Sequence, residues 1–227
     1  MAIYKTKIIE IKEVADGTIE VSLKKPVGFD FKAGQYAQLG VLKLRYSDYQ
    51  GASRVLSMAS SPLDKEKVSF TFRDTGSGFK KTIKNLLPGD EVQIEGPYGF
   101  CTIPEKSYHP VVLIAGGIGI TPYLSMMRFA SESKLDFPLT LLYANRNRSG
   151  AAYLKELQEI ANSRDNIVLK SIFGKMDEKF IKNNLKNIKD CVFHIAGPPG
   201  MIAFVRNMLY SLGVDEEKVF SEEFTGY

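Results

Sequence analysis

The sequence predicts a two-domain chain: an antiparallel β-barrel over residues 1–105, then an α/β domain with a doubly wound parallel sheet over residues 106–227. Three observations carry this prediction. Before residue 105, strand-like segments alternate apolar and polar residues, as in Thr18-Ile-Glu-Val-Ser-Leu, the pattern of antiparallel strands with one wet face. After residue 108, unbroken Val/Ile/Leu runs alternate with helical stretches, as in a parallel sheet covered on both sides. At the start of that second half, Val111-Val-Leu-Ile-Ala-Gly116-Gly-Ile-Gly119-Ile-Thr121-Pro122 joins a strand to a helix through a glycine cluster.

Taken in order, strands are expected at Ile3–Val14, Thr18–Lys24, Gln35–Leu44, Arg54–Ala59, Lys67–Arg73 and Glu91–Glu95. A single helix is expected among them at Phe79–Leu87, stopped by Pro88-Gly89-Asp90. Short strands at close spacing with one helix suit a small barrel. Ile103-Pro-Glu-Lys-Ser-Tyr-His-Pro110 reads as the linker. Beyond it, strands Val111–Ala115, Leu139–Ala144, Ile167–Phe173 and Val192–Ala196 alternate with helices at Pro122–Ser133, Ala151–Ala161, Glu178–Leu185 and Met201–Leu212. A last short strand runs through Lys218–Phe220.

Composition narrows the function classes. A chain of 227 residues with 44% hydrophobic and 25% charged residues is that of an ordinary soluble protein with room for two cores. Its net charge of +4 comes from scattered lysines, so no basic stripe marks a nucleic-acid surface, while an acidic protein partner remains compatible. The start, Met1-Ala-Ile-Tyr-Lys-Thr-Lys-Ile, is charged and strand-like rather than a signal peptide, and no apolar run reaches the roughly 20 residues of a membrane span. Cys101 and Cys191 lie far apart with no C-x-x-C, which argues against an iron–sulfur or zinc site. His109 and His194 read as structural. The expectation is a reduced, cytoplasmic, metal-free protein.

Three segments have the chemistry of anion sites. The glycine cluster lets backbone amides approach a dinucleotide pyrophosphate, with Thr121 expected as helix N-cap and Pro122 at the first helical position. Pro122 stands where G-x-G-x-x-G places its third glycine. In the barrel, Arg54-Val-Leu-Ser57 offers a guanidinium fork for a pyrophosphate and a hydroxyl able to meet a heterocycle nitrogen. Arg73-Asp-Thr-Gly76-Ser-Gly78-Phe-Lys80-Lys81-Thr82 brings cations and amides to a helix start. Read locally, the last two equally describe a strand with an exposed arginine and a loop with solvated lysines.

In order along the chain, Arg54-Val-Leu-Ser57, Gly96-Pro-Tyr-Gly99, Gly116-Gly-Ile-Gly-Ile-Thr-Pro122, Ala196-Gly-Pro-Pro-Gly-Met201 and Glu222-Glu-Phe-Thr-Gly-Tyr227 resemble the ferredoxin–NADP reductase family of flavoproteins. The resemblance implies a flavin-binding barrel followed by an NAD(P) domain. It also implies hydride transfer from NAD(P)H to bound FAD, then single electrons to a separate acceptor such as ferredoxin or a flavodoxin-like protein. Arg54 would then bind the flavin pyrophosphate, Leu56 would pack on the ring, and Ser57 would sit at the ring's reactive nitrogen. Arg73, Gly78, Lys80, Lys81 and Thr82 would line a second flavin-phosphate contact. Gly116, Gly117, Gly119, Thr121, Gly197, Pro198 and Met201 would surround the nicotinamide nucleotide. Glu222 would be the C-terminal acid, with Phe224 and Tyr227 as aromatics against the flavin.

The chain departs from the family pattern at two positions. Leu56 stands where an aromatic usually stacks, losing a stacking contribution of about 0.5–1.5 kcal/mol. Ala196 replaces the cysteine of Cys-Gly-Pro. FAD is expected over FMN. After the second strand of the parallel sheet, Asn145-Arg146-Asn-Arg148 has no acid for a ribose hydroxyl; its arginines, with Lys175, favour NADP over NAD. The alternatives are a free-flavin or ferric reductase, and a flavin-binding electron-transfer subunit or redox sensor with little nicotinamide activity.

Overall fold

The structure, a computed structural model, describes residues 2–223. Its first half is a six-stranded antiparallel sheet built from β1 (Ile3–Ala15), β2 (Thr18–Lys24), β3 (Tyr36–Val41), β4 (Ser53–Ser57), β5 (Lys67–Arg73) and β6 (Glu91–Tyr98). The order is β4-β3-β6-β1-β2-β5. β1 serves both halves of this sheet: Ile3–Lys7 pair with β6, and Ile8–Ala15 pair with β2 across register shifts that bend the strand. The two edge strands meet just past β4, where Met58 bridges Phe70 and Ala59 N–H donates to the Ser69 carbonyl (2.7 Å). The sheet therefore closes at one end and stays open between β4 and β5. The helix α1 (Gly78–Lys84) presses Phe79 and Ile83 into the barrel core.

The second half is a parallel sheet of five strands in the order β11-β10-β7-β8-β9. Its strands are β7 (Val111–Gly116), β8 (Leu139–Asn145), β9 (Ile167–Phe173), β10 (Val192–Gly197) and β11 (Val219–Glu223). Helices α2 (Ile120–Glu132) and α3 (Leu154–Asn162) cover one face; α4 (Glu178–Asn184) and α5 (Pro199–Ser211) cover the other. The two-residue period of a strand explains the partition. Val111, Leu113 and Ala115 enter the cluster under α2 and α3, while Val112 and Ile114 enter the cluster under α4 and α5.

Several boundaries differ from the sequence expectation for identifiable reasons. The Arg54–Ala59 strand ends at Ser57 because Met58 and Ala59 turn away to reach β5. Gln35–Leu44 shortens to β3, and the helix expected to reach Leu87 stops at Lys84 with Asn85 as its C-cap. The Ala151–Ala161 helix starts at Leu154, because Tyr153 takes a left-handed backbone (φ 60°) that no helix continues through. A 3-10 turn over Glu216–Lys218 holds Lys218, so the last strand begins at Val219.

The two halves are joined by buried polar contacts. Ser125 Oγ of α2 donates to the Ser60 carbonyl (2.7 Å), and Arg128 Nη1 donates to the Ala59 carbonyl (2.8 Å) while gripping Glu156 with two further bonds (2.6 and 2.9 Å). Tyr153 Oη donates to the buried Glu20 (2.7 Å) and shares a 2.6 Å hydrogen bond with Thr71.

Candidate functional site

The glycine cluster lies at the C-terminal end of β7, the end where open parallel sheets bind ligands. A 3-10 turn, Gly117–Gly119, leads directly into α2. This corrects two expectations. Gly119, not Thr121, occupies the N-cap, and Pro122 lies inside the first turn rather than at the first helical position. Thr121 is buried and spends its hydroxyl proton on the Ile118 carbonyl (2.9 Å).

The glycines divide by role. At Gly117 the backbone is left-handed (φ 54°) and a side chain would project into open space, so this amide presents bare backbone to a ligand. At Gly119 a Cβ would collide with the Ala196 carbonyl, so this glycine serves the packing of the turn on β10. Met201, in the first turn of α5, lies over Gly116 and Gly197, and Pro198 caps that helix from the surface. Asn145 ends β8 with its side-chain nitrogen buried and unpartnered among the described residues; Arg146, Arg148 and Lys175 are exposed just beyond.

In the barrel, Leu56 packs half-buried on the core at the opening between β4 and β5. Ser57 is buried. The end of β4 thus sets an apolar side chain beside a hydroxyl, the chemistry that one face and one nitrogen of a flat ring would need. Arg54 is engaged elsewhere. Its Nη2 donates to Asp48 Oδ2 (2.6 Å), its Nη1 donates to the carbonyls of Ser53 (2.7 Å) and Gly51 (3.1 Å), and its guanidinium lies over the Phe79 ring (5.1 Å). The Phe79 N–H also donates to Asp48 (2.7 Å), and Arg54 followed by this amide holds the Asp48 carboxyl well below the usual carboxylate range.

The glycine-rich segment before α1 behaves structurally. Gly78 packs against the carbonyls of Tyr46 and Ser47, where a Cβ would collide. Thr82 is buried, donating to the Gly78 carbonyl (2.8 Å) and accepting from the Arg45 N–H (3.0 Å). Lys80 is buried and donates to Thr75 (3.0 Å); burial, then the nearby Arg54, lowers its pKa. Lys81 is exposed. Arg73 reaches away from this turn, to the Asp16 carbonyl (2.6 Å).

Glu222 lies on the edge strand β11 in register with Ala196, and burial pushes its carboxyl up to about 7. Phe224 and Tyr227 lie outside the described residues. Around Glu222 the structure gathers residues that no motif marks. Cys101 Sγ meets His194 Nδ1 at 3.1 Å, and His194 stacks on Phe220 (5.2 Å between centroids). Burial lowers the imidazole to about 4 and raises the Cys101 thiol to about 12, so both are uncharged at neutral pH. Tyr123 Oη is buried without a partner among the described residues. None of these shows periodicity or a motif in the sequence; four segments distant in the chain bring them together.

Comparison with known proteins agrees with this geometry. Residues 113–207 match the family model described as the oxidoreductase NAD-binding domain. The match places an oxidoreductase NAD-binding domain in the parallel-sheet half, and the two-domain fold is shared with the solved structures that follow. The FAD/NAD-binding domain of a nitric oxide dioxygenase from Vibrio cholerae superposes with a TM-score of 0.86 at 21% identity, covering 97% of this chain and 98% of that one. Ferredoxin–NADP+ reductase from Plasmodium falciparum gives 0.81 at 23% identity, with 98% and 96% covered. In sequence, the reductase component of propane 2-monooxygenase from Mycolicibacterium goodii is 25% identical over 240 residues, 97% of this chain and 67% of that protein. The chain spans about two thirds of the length of the curated relatives it matches.

Proposed function

We propose that this chain takes electrons from NAD(P)H into bound FAD and passes them singly to a separate acceptor protein; relatives named as reductase components of oxygenases support this reading. One observation carries the reading. The segment that follows Ser57 is fastened at Ala59 and Ser60 to α2, the helix that opens at the glycine cluster. Ring shelf and nucleotide turn thus belong to one rigid connection, which holds two reactants in a fixed relation.

The residues then divide the work. Leu56 supplies the apolar shelf, and Ser57 a hydroxyl able to donate to or accept from a ring nitrogen. Gly117 lets the nucleotide's phosphates approach the start of α2, Gly119 seats that turn on β10, and Met201, Pro198 and Gly197 bound the nicotinamide side. Glu222 holds or releases a proton near neutral pH beside Ala196. Bound flavin supplies the conversion of a two-electron donor into single-electron output. Arg146 and Arg148, exposed after β8, favour NADPH through its 2′-phosphate. We place the domain boundary near residue 105, between β6 and β7, and the acceptor as a small one-electron carrier such as ferredoxin or flavodoxin. Two free cysteines suit the cytoplasm.

Anaerobic stopped-flow with NADPH and NADH tests the proposal. The expected result is bleaching of protein-bound flavin, faster with NADPH. Absence of bleaching with both nucleotides defeats it, and a protein that elutes colourless yet reduces added flavin replaces it with a free-flavin reductase.

A further inference from the structure

We infer that Asp48 sets how tightly this chain holds the phosphates of its flavin, by competing with them for Arg54. The inference rests on the flavin reading of the barrel. Arg54 is the single cation on β4, the strand that carries the Leu56–Ser57 shelf. Its charge is already matched inside the protein: Asp48 lies 2.6 Å away, with side-chain exposures of 14% for Arg54 and 1% for Asp48. The carboxylate is held from three directions, by Arg54, by the Phe79 N–H (2.7 Å) and by the Gln50 N–H (2.9 Å).

A phosphate approaching Arg54 therefore meets a neutral ion pair. It must share the guanidinium with Asp48 or displace it, and either course costs affinity. The neighbouring lysines relieve little of this cost. Lys80 is turned inward to Thr75, and Lys81 lies on the solvent side of α1. The loop that delivers Asp48 also exposes Tyr46 and Tyr49, so displacement of the carboxylate moves a surface loop rather than a core element.

Asp48→Asn keeps the size of the side chain and removes the charge, and its single amide oxygen can still accept from one of the two N–H groups that Asp48 meets with separate oxygens. Fluorescence titration of the flavin-stripped chain with FAD, FMN and riboflavin reads the effect. FAD and FMN are expected to bind about tenfold tighter to the variant, with riboflavin, which has no phosphate, unchanged. Asp48→Glu keeps the charge and is expected to stay near the parent affinity for FAD. Unchanged or weaker FAD binding by Asp48→Asn overturns the inference, as does a parallel rise for riboflavin. If the parent chain binds none of the three flavins, the flavin reading itself fails; if it binds them and the variant does not differ, this inference alone fails.

Discussion

In the proposed function Ser57 and Glu222 serve the reaction from opposite domains, and each makes a separate prediction. Ser57 is a buried residue at the end of β4 whose hydroxyl is a candidate partner for the ring. Ser57→Ala is expected to slow anaerobic flavin reduction by about tenfold or more while leaving the nucleotide concentration for half-saturation unchanged; a rate within about twofold of the parent removes Ser57 from the reaction. Glu222 has a folded-state pKa of about 7 against an ordinary 4.5, raised by burial. The folded state thus binds the extra proton. The stability this contributes is complete below about pH 4.5 and is lost as pH rises through 7. Cys101 and Tyr123 face the same region as uncharged groups, so neither titrates across this window. Glu222→Gln is expected to flatten the pH–stability curve between these values and to remove an inflection near pH 7 from the rate profile. Denaturation and stopped-flow series over pH check both.

At the scale of elements, the contact between α3 and the barrel depends on Tyr153. Tyr153→Phe removes a donor from the buried Glu20 carboxylate and is expected to cost about 1–3 kcal/mol in urea unfolding. Gly119→Ala drives a Cβ into the Ala196 carbonyl, so nucleotide binding, read by isothermal titration, is expected to fall with stability. The same elements show what the sequence made legible. β2, β5 and β9 match expectation to the residue, because alternation or an apolar run spans each of them and charged or turn residues bound it. The start of α3 was hidden because Tyr153, a residue type that carries no turn signal, takes the left-handed backbone there, and its side-chain partner Glu20 lies 133 positions away. Likewise Thr121 has the chemistry of an N-cap, but the 3-10 turn begins the helical path earlier and consumes its hydroxyl. At the candidate site the glycine cluster and Leu56–Ser57 could be read from local motifs. Asp48 and the Cys101–His194 pair could not, since a loop residue shows its partner only in three dimensions.

Across the molecule, nucleotide choice and domain coupling are separate properties. The arginines after β8 are exposed and can be removed without touching a core, so Arg146→Ala with Arg148→Ala is expected to raise the KM for NADPH about tenfold or more and to leave that for NADH nearly unchanged; steady-state kinetics with both donors decides. The coupling lies in the core itself. Ala33, Ala59 and Ile103, contributed by the barrel side and the linker, are buried in the same cluster as Leu113, Tyr123 and Leu141 of the parallel-sheet domain. Separating the halves would expose that shared cluster, although the barrel and the parallel-sheet domain each also bury a core of their own. Heating should therefore melt the chain in one cooperative step, with calorimetric and van't Hoff enthalpies equal. A fragment ending in the linker should unfold at a lower temperature than the intact chain, or fail to fold.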